Sequence, residues 1–281
     1  MGNLPEYLMY LLVVITGLFV LLVIYVRIQE SRGIYQPISY SSDRLENILE
    51  NRPRLEAVEF PAADGVRLRG LWKSGALNAP AVILFPGNAG NITNRLWWLE
   101  LVVPEGWSAL LFDYRGYGRS AGKPGEAGLY SDVEGAVEFV ARRAEGKLFY
   151  HGRSLGTVMA ARAAAVRPPA GVIFDSGFPD AAAMARTILP LFGIEKLLNV
   201  EFDTLTHMEQ AEAGGRPIPK LVIHGRADRV VPFAVGRKLY AGLNSPKQSC
   251  FIEGAGHNNL VQWAGELEYS RRLRKFLTAL E

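Results

Sequence analysis

A five-residue turn with the sequence GRSLG, at residues 152–156, joins an apolar run at residues 148–151 to an alanine-rich segment at residues 157–166. The apolar run is typical of a buried strand, and the alanine-rich segment consists mostly of good helix formers. The two glycines of the GRSLG turn have no Cβ, so the backbone can pack closely around a turn that larger residues would block. The sequence therefore predicts a strand, a tight turn and a helix, with the hydroxyl of Ser154 exposed on the turn.

Short apolar runs of the same kind recur along the chain and alternate with helix-length segments. The runs are continuous, as in strands buried on both faces, and occupy residues 81–85, 108–112, 148–151, 171–174 and 221–224. The helix-length segments lie between most of them, at residues 95–103, 130–143, 157–166 and 233–243. This alternation predicts an α/β fold with a mostly parallel central sheet and helices on both faces.

Turn signals and one break in the alternation complete the outline. Residues 55–60 and 66–72 flank Asp64-Gly65 and predict a β-hairpin, and a last strand at residues 248–253 precedes a helix at residues 262–280. The break, at about residues 177–216, contains a helix-like stretch at residues 181–189, Pro190 and an apolar stretch at residues 191–200. We predict a small helical insertion there, which forms either a lid over the carboxyl ends of the strands or a passive pair of helices.

The N-terminal segment is the most apolar part of the chain. Residues 8–26 carry no charge, and as a helix they would extend about 28 Å, close to the hydrocarbon thickness of a bilayer. A cleavable signal peptide fits less well, because no basic segment precedes the run and no small-x-small site follows it. A buried core helix is the remaining alternative. The sequence predicts a membrane anchor at residues 1–28, a stalk at residues 29–54 with a short helix at residues 43–50, and a catalytic domain at residues 55–281.

Charge and cysteine content narrow the function classes. The net charge is +3, and the basic residues are dispersed without aromatic residues between them, which does not favour nucleic-acid binding. No Lys or Arg precedes the predicted span, whereas Arg27, Arg32 and Arg44 follow it, so the positive-inside rule places the domain in the cytoplasm. The single cysteine, Cys250, excludes an intrachain disulfide and a cysteine-based metal cluster, and we expect it to be a small core residue. We expect no cofactor and no metal.

Polar residues that could carry acyl transfer follow the predicted strands, where catalytic groups gather in open α/β sheets. A serine hydroxyl is a weak nucleophile and needs a neighbouring base. Imidazole accepts a proton near neutral pH, and an acid must orient it and stabilise its charged form. Ser154, Asp228 and His257 occur in the chain order expected for this architecture. Asp175 also ends a strand and is an alternative acid.

The negative charge on the attacked carbonyl oxygen requires two backbone N–H donors placed in advance. Leu155 follows the candidate nucleophile at the start of a helix and is predicted to supply one. Asn88 lies in a glycine-rich loop after an earlier strand and is predicted to supply the other.

Five motifs in register make the chain resemble the α/β-hydrolases, and more narrowly the membrane-anchored ABHD-type serine hydrolases. The resemblance extends from about residue 55 to the C-terminus through FPGNAGN, DYRGYGRS, GRSLG, HGRADRVVP and GAGHN. It implies a serine hydrolase that cleaves carboxylic esters or thioesters through an acyl-serine intermediate, as an esterase, a lysophospholipase or an acyl-protein thioesterase does. The apolar span would hold the site near a bilayer, and the insertion is rich in Leu, Ile, Phe and Met, so we expect the acyl group to be lipophilic. It also favours Asp228 over Asp175, because HGRADRVVP matches the acid loop. Serine peptidases and non-catalytic lipid- or protein-binding members share the fold and remain alternatives.

One position departs from the pattern of this family. The loop that supplies Asn88 usually begins with His-Gly, whereas this chain has Pro86-Gly87. Proline fixes φ and lacks an N–H, but the predicted donor lies two residues later. We therefore expect the oxyanion site to persist with altered rigidity.

Other polar residues are expected to be structural. Asp113 is expected to brace the loop at residues 114–120 through backbone hydrogen bonds, with Arg115 or Arg119 as its partner. The remaining histidines are expected in the core or near the site with their hydrogen bonds satisfied (His151 and His224) or at the surface (His207).

Overall fold

A computed structural model describes residues 5–188, 190 and 193–280 of the chain. One sheet of eight strands lies at its centre: β1 (Leu55–Pro61), β2 (Arg67–Lys73), β3 (Ala81–Phe85), β4 (Ser108–Asp113), β5 (Leu148–Arg153), β6 (Gly171–Asp175), β7 (Lys220–Gly225) and β8 (Lys247–Ile252). Their order across the sheet is β1-β2-β4-β3-β5-β6-β7-β8. Strand β2 is antiparallel to β1 and β4, and the other neighbouring pairs are parallel. The predicted mostly parallel sheet is confirmed.

Helices cover both faces of this sheet. In chain order they are α1 (Glu6–Ile34), α2 (Ser42–Glu50), α3 (Leu96–Val102), α4 (Glu126–Ala141), α5 (Gly156–Val166), α6 (Ala181–Ile188), α7 (Thr204–Glu212), α8 (Phe233–Gly242), α9 (Leu260–Ala264) and α10 (Glu266–Thr278). Side chains of α4, α5, α7 and α8 form one core with one face of the sheet. Those of α3, α9 and α10 form a second core on the other face, and partly buried side chains of α2 pack against it. Strands β3 to β6 are thus buried on both sides, which explains their continuous apolar sequences.

Backbone conformation explains two of the turns. The predicted hairpin joins β1 to β2, and Gly65 in its turn has φ +86°, a value that favours glycine. The single helix predicted at residues 262–280 is wrong. Gly265, with φ +78°, separates α9 from α10, because a residue in the left-handed region cannot continue a right-handed helix.

The insertion contains α6, a short 3₁₀ helix (Ile194–Leu197) and α7. Helix α7 packs along α5, the helix that follows the GRSLG turn. Its N-terminus is capped by Asp203, whose carboxylate accepts the N–H of Thr206 at 2.9 Å. Residues 189, 191 and 192 of the predicted helix-like and apolar stretches lie outside the described residues.

Helix α1 is longer than the predicted span and ends against the domain. Its Glu6–Ile28 part is long and apolar enough to cross a membrane or to serve as a signal sequence, and most of its apolar side chains are exposed. Residues 1–4 of the predicted anchor lie outside the described residues. Near the end of the helix, the carboxylate of Glu30 accepts the N–H groups of Asn199 at 2.7 Å and Val200 at 3.1 Å. The last turns of α1 are therefore attached to the insertion.

Candidate active site

The GRSLG turn holds Ser154 in a backbone conformation that is unusual for a residue with a side chain. Its φ is +53°, and such a conformation persists only where the surrounding structure enforces it. The N–H of Ser154 donates to the carbonyl of Asp175 at 2.8 Å. Its own carbonyl accepts the N–H of Thr157 at 3.0 Å and the hydroxyl of Thr157 at 2.6 Å. The turn between β5 and α5 is therefore fixed on both sides of the serine.

The two glycines of this turn are required by close packing, as predicted. A Cβ on Gly152 would overlap the backbone of Gly156, and a Cβ on Gly156 would overlap the carbonyl oxygen of Phe85 at the end of β3. Because only hydrogen atoms fit at these positions, α5 begins directly against the ends of β3 and β5. Ser154 consequently lies at the carboxyl edge of the sheet, beside the loop that follows β3.

Asp228 and His257 meet at the same edge. Asp228 follows β7 and His257 follows β8, and Oδ2 of the aspartate lies 2.7 Å from Nδ1 of the histidine. A carboxylate can only accept, so Nδ1 carries the proton and Nε2 is left as a base. The other oxygen, Oδ1, accepts the N–H groups of Val230 and Val231, both at 2.9 Å. These bonds fix the direction of the carboxylate.

The carboxylate of Asp175, the alternative acid, is hydrogen-bonded to residues other than His257. Its Oδ2 accepts the hydroxyl of Tyr269 at 2.5 Å, and its Oδ1 accepts the hydroxyl of Ser176 at 2.9 Å. The carboxylate that contacts His257 is therefore that of Asp228, the acid that the HGRADRVVP motif favours.

His224 lies beside this pair and braces the acid loop. Its Nε2 donates to the carbonyl of Val231 at 2.8 Å and lies 3.5 Å from Oδ2 of Asp228. Burial lowers the pKa of His224, which favours the neutral ring. The expectation of a near-site histidine with a satisfied hydrogen bond holds for its Nε2.

Two other histidines differ from expectation. His151 is buried, but neither ring nitrogen has a hydrogen-bond partner among the described residues, and its ring packs edge-on against Trp98 at 4.8 Å between ring centres. Burial lowers the pKa of His151 to about 4, so the ring is neutral at physiological pH. His207 is half-buried against the ring of Tyr130 instead of lying free at the surface.

The loop after β3 lies over the candidate nucleophile. A Cβ placed on Gly87 would lie 3.3 Å from Cβ of Ser154 and 3.9 Å from its Oγ. The carbonyl of Pro86 accepts the hydroxyl of Tyr114 at 3.1 Å, so the residue that departs from the usual His-Gly pattern is held by a hydrogen bond. Among the described residues, no hydrogen bond engages the backbone N–H of Asn88 or of Leu155. In this part of the chain, both N–H groups thus lack a protein acceptor.

The surroundings of Asp113 correct the sequence analysis. Its Oδ1 accepts the N–H of Ile92 at 2.8 Å, and its Oδ2 has no hydrogen-bond partner within the described part of the chain. Arg115 does not pair with it. The guanidinium of Arg115 binds the carboxylates of Asp64 and Asp132, with all contacts at 2.8 Å. The loop after β4 is thus held by partners that are distant in sequence.

The lining of a cavity of about 560 Å³ includes Arg153 and Asn258, the chain neighbours of Ser154 and His257. Its walls include apolar side chains of α3 and α9, among them Trp97, Leu101 and Val261. Arg153, which precedes Ser154, lies between the ring of Trp97 and the carbonyl of His257, to which its guanidinium donates at 2.9 Å. The cavity therefore adjoins the backbone of both the turn and the histidine loop.

Cys250 is buried in β8, as expected, and its sulfur contacts the guanidinium of Arg272 at 3.2 Å.

Comparison with protein families and curated sequences identifies relatives of the chain. The family model described as "Serine aminopeptidase, S33" matches residues 79–207. An uncharacterized protein of Mycobacterium tuberculosis, Rv2307c, is 32% identical over 256 residues, which cover 89% of this chain and 88% of the relative. The uncharacterized protein YfhR of Escherichia coli K12 is 34% identical over 215 residues, which cover 72% of this chain and 73% of the relative.

Solved structures share the fold at lower identity. The Pyrococcus furiosus esterase Pf2001 aligns with a TM-score of 0.68 and 19% identity, over 88% of this chain and 98% of the esterase. An α/β-hydrolase from Vibrio vulnificus aligns with a TM-score of 0.69 and 19% identity, over 86% of this chain and 88% of the neighbour. In both cases the similarity covers most of the chain.

Proposed function

The chain belongs to the α/β-hydrolase superfamily, and on that basis we propose that it is a serine hydrolase with Ser154 as its nucleophile. One geometric observation carries the proposal. Ser154 stands at φ +53° between β5 and α5, at the edge of the sheet where Asp228 lies 2.7 Å from Nδ1 of His257. A strained serine together with an oriented imidazole is the arrangement that activates a hydroxyl for acyl transfer.

The proposed reaction uses these groups in turn. Nε2 of His257 accepts the proton of the Ser154 hydroxyl as Oγ attacks the acyl carbon, and Asp228 stabilises the resulting imidazolium. The backbone N–H groups of Asn88 and Leu155 bind the negative oxygen of the tetrahedral intermediate. His257 then donates the proton to the leaving oxygen or sulfur, which leaves an acyl group on Ser154. A water molecule, deprotonated by His257, hydrolyses that acyl-enzyme by the same steps in reverse.

Three features support a lipophilic carboxylic ester or thioester as the substrate. The Pyrococcus furiosus neighbour is an esterase by name. The cavity lined by Arg153 and Asn258 has mixed walls, with the carboxylates of Glu100, Asp175 and Glu266 beside the apolar side chains of Trp97, Leu101 and Val261, which can contact an acyl chain. Residues 8–26 form an apolar helix, and we propose that it anchors the chain in a membrane, with the domain on the cytoplasmic side. A lysophospholipid or an acylated protein would present its ester or thioester at such a surface.

An activity-based probe tests the nucleophile directly. Wild-type protein treated with a fluorophosphonate should be labelled on Ser154, and Ser154→Ala should not be labelled. A series of p-nitrophenyl esters with increasing acyl length then identifies the preferred chain, with Ser154→Ala as the control in each assay. Equal labelling of both proteins would overturn the proposal and would leave a non-catalytic scaffold that binds a lipid or a protein partner.

A serine peptidase is the second candidate, because the matching family model is described as a serine aminopeptidase. The same nucleophile and base would then attack an amide, and His257 would protonate an amine leaving group. Matched p-nitrophenyl esters and p-nitroanilides of the same acyl group separate the two. Faster turnover of anilides bearing a free amino terminus would favour the peptidase.

A further inference from the structure

The segment that follows α1 is hydrogen-bonded to the loop that carries Asn88. Residues Gln36 and Pro37 pair in parallel with Ala89 and Gly90 as a two-residue strand. The carbonyl of Asn88 accepts the N–H of Gln36 at 2.9 Å. This pairing joins residues that are more than fifty positions apart in the sequence.

The hydroxyl of Tyr117 completes the arrangement. It donates to the carbonyl of Asn88 at 2.7 Å and lies 3.2 Å from the N–H of Gln36, which it can accept. Tyr117 is buried, and burial raises its pKa to about 12, so the hydroxyl keeps its proton at physiological pH. One oxygen, that of Asn88, is thus held by two donors from two different segments.

The side chain of Asn88 adds a second connection to the end of α1. Its Nδ2 donates to the carbonyl of Gly33 at 3.2 Å. Gly33 belongs to the last turn of the helix, so α1 ends in direct contact with this residue.

On the other side of Asn88, Arg95 holds the flanking carbonyls. Its guanidinium donates to the carbonyl of Gly87 at 3.4 Å and also to that of Ala89. The peptide bond between Gly87 and Asn88 is planar, and in its trans form the carbonyl of Gly87 and the N–H of Asn88 point in opposite directions. The bond from Arg95 to the carbonyl of Gly87 therefore restrains the direction of the Asn88 N–H. The bonds from Gln36 and Tyr117 to the carbonyl of Asn88 restrain the next peptide plane, so the backbone of Asn88 is held on both sides of its Cα.

We propose that Tyr117 and the backbone N–H of Gln36 are positioning residues for the oxyanion site, and that they hold the N–H of Asn88 toward the oxygen of the bound acyl group. This proposal depends on the proposed function. Neither residue touches the substrate, because both act through the carbonyl of Asn88. An oxyanion donor is effective only when it is fixed before the charge develops, so loosening this carbonyl should slow the chemical step more than it weakens substrate binding.

Three variants of the full-length protein in detergent test this role. Tyr117→Phe removes the hydroxyl but keeps the ring, which packs edge-on against Tyr114 at 6.2 Å between ring centres. Gln36→Pro replaces the N–H by the ring Cδ, which removes the donor and also presses against the carbonyl of Asn88, 2.9 Å from that nitrogen. Tyr35 before it already has the extended backbone that proline requires, with φ −112° and ψ 117°. Gln36→Ala is the matched control, because it keeps the N–H and loses only an exposed side chain.

The measurements are kcat and KM for an ester, the inhibition constant of an alkyl boronic acid, and Tm. A boronic acid forms a tetrahedral adduct on serine, so one of its oxygens probes the oxyanion site. We expect Tyr117→Phe and Gln36→Pro to lower kcat about tenfold, with KM changed by less than about twofold. The inhibition constant of the boronic acid should rise by a factor similar to the loss in kcat. Gln36→Ala should match wild type.

The outcomes separate this inference from the proposed function. Absence of Ser154-dependent turnover in wild type would contradict both. Turnover in wild type that Tyr117→Phe and Gln36→Pro leave unchanged would contradict only the positioning role. A loss of kcat without any weakening of the boronic acid would also contradict it, since the variants would then act through general stability, which Tm reports.

Discussion

The carboxylate oxygen Oδ2 of Asp228 lies 2.7 Å from Nδ1 of His257 and 3.5 Å from Nε2 of His224. Two imidazoles therefore lie near one carboxylate, but only one of them donates its hydrogen bond to it. The Nε2–H of His224 is already donated to the carbonyl of Val231 at 2.8 Å, whereas the Nδ1–H of His257 has the carboxylate as its acceptor. The charge of the acid is thereby directed to the histidine that faces the nucleophile in the proposed mechanism.

Asp228→Asn should abolish most of the proposed activity without unfolding the protein. The amide keeps the size of the side chain but cannot stabilise an imidazolium, and it can hold the ring in the wrong tautomer. We expect kcat to fall by about 10³–10⁴ for an ester, with little change in KM. Asp175→Asn is the comparison variant, and an equal loss there would contradict the assignment of the acid.

His224→Leu should affect stability more than chemistry. The substitution leaves the buried carbonyl of Val231 without its donor, which costs about 1–3 kcal/mol in the free energy of unfolding. Urea unfolding followed by tryptophan fluorescence measures this cost. The residual activity should keep the pH dependence of wild type, and a displaced pH profile would show that His224 takes part in the proton transfer.

Gly87→Ala should disturb the candidate nucleophile by contact alone. The new Cβ would lie 3.3 Å from Cβ of Ser154 and 3.3 Å from the carbonyl oxygen of Arg153, closer than side chains usually pack. We expect kcat to fall about tenfold, because a small displacement of a reacting group is costly. Labelling of Ser154 by a fluorophosphonate should slow in parallel, and an unchanged labelling rate would contradict the predicted crowding.

Asp113 should make the fold less stable as the pH rises. Burial raises its pKa from 3.8 to about 8 in the folded chain, so between these pH values the folded chain holds a proton that the unfolded chain releases. The stabilisation is complete below about pH 4 and is lost as the pH rises to about 8. Asp113→Asn removes this dependence, and its Oδ1 can still accept the N–H of Ile92.

The stability of the Asp113→Asn variant relative to wild type should therefore increase with pH. We expect its free energy of unfolding to exceed that of wild type by at least about 1.4 kcal/mol at pH 9, with the advantage shrinking toward pH 4. Urea titrations at pH 5, 7 and 9 measure the difference. A difference that does not change with pH would contradict the raised pKa.

Removal of residues 1–28 should release the protein from the membrane fraction. The truncated chain keeps Glu30, which accepts N–H groups of the insertion, and Gln36, which binds the carbonyl of Asn88. We therefore expect the soluble product to retain its Ser154-dependent labelling. Full-length protein that is already in the soluble fraction would contradict the anchor.

The elements that the sequence predicted well are those encoded by local patterns. Continuous apolar runs identified β3 to β7 because these strands are buried on both faces, and the GRSLG pattern located the turn because its glycines are required by contact with Phe85 and with each other. The sequence did not predict that the C-terminal helix is interrupted at Gly265, because the residues on both sides of this glycine are good helix formers. The interruption depends on the positive φ of Gly265 alone.

The interactions that were missed join segments distant in sequence. Arg115 or Arg119 was expected to pair with Asp113, but four polar contacts hold Arg115 to Asp64 and Asp132. No local pattern distinguishes these two carboxylates from the others in the chain. The contact of Gln36 with Asn88 uses backbone atoms, and the side chain of Gln36 is exposed. Residue identities at these positions carry little information about such a pairing.

The pairing of Gln36 and Pro37 with Ala89 and Gly90 also bears on how such a chain can change in evolution. Boundaries between separable parts of a chain usually fall in flexible linkers, where few contacts cross and a cut disturbs neither part. Here the end of α1 and the loop beside Ser154 share backbone hydrogen bonds, so a recombination point between them would separate two halves of one structural unit. We therefore expect relatives that carry a different N-terminal segment to have altered the loop after β3 as well.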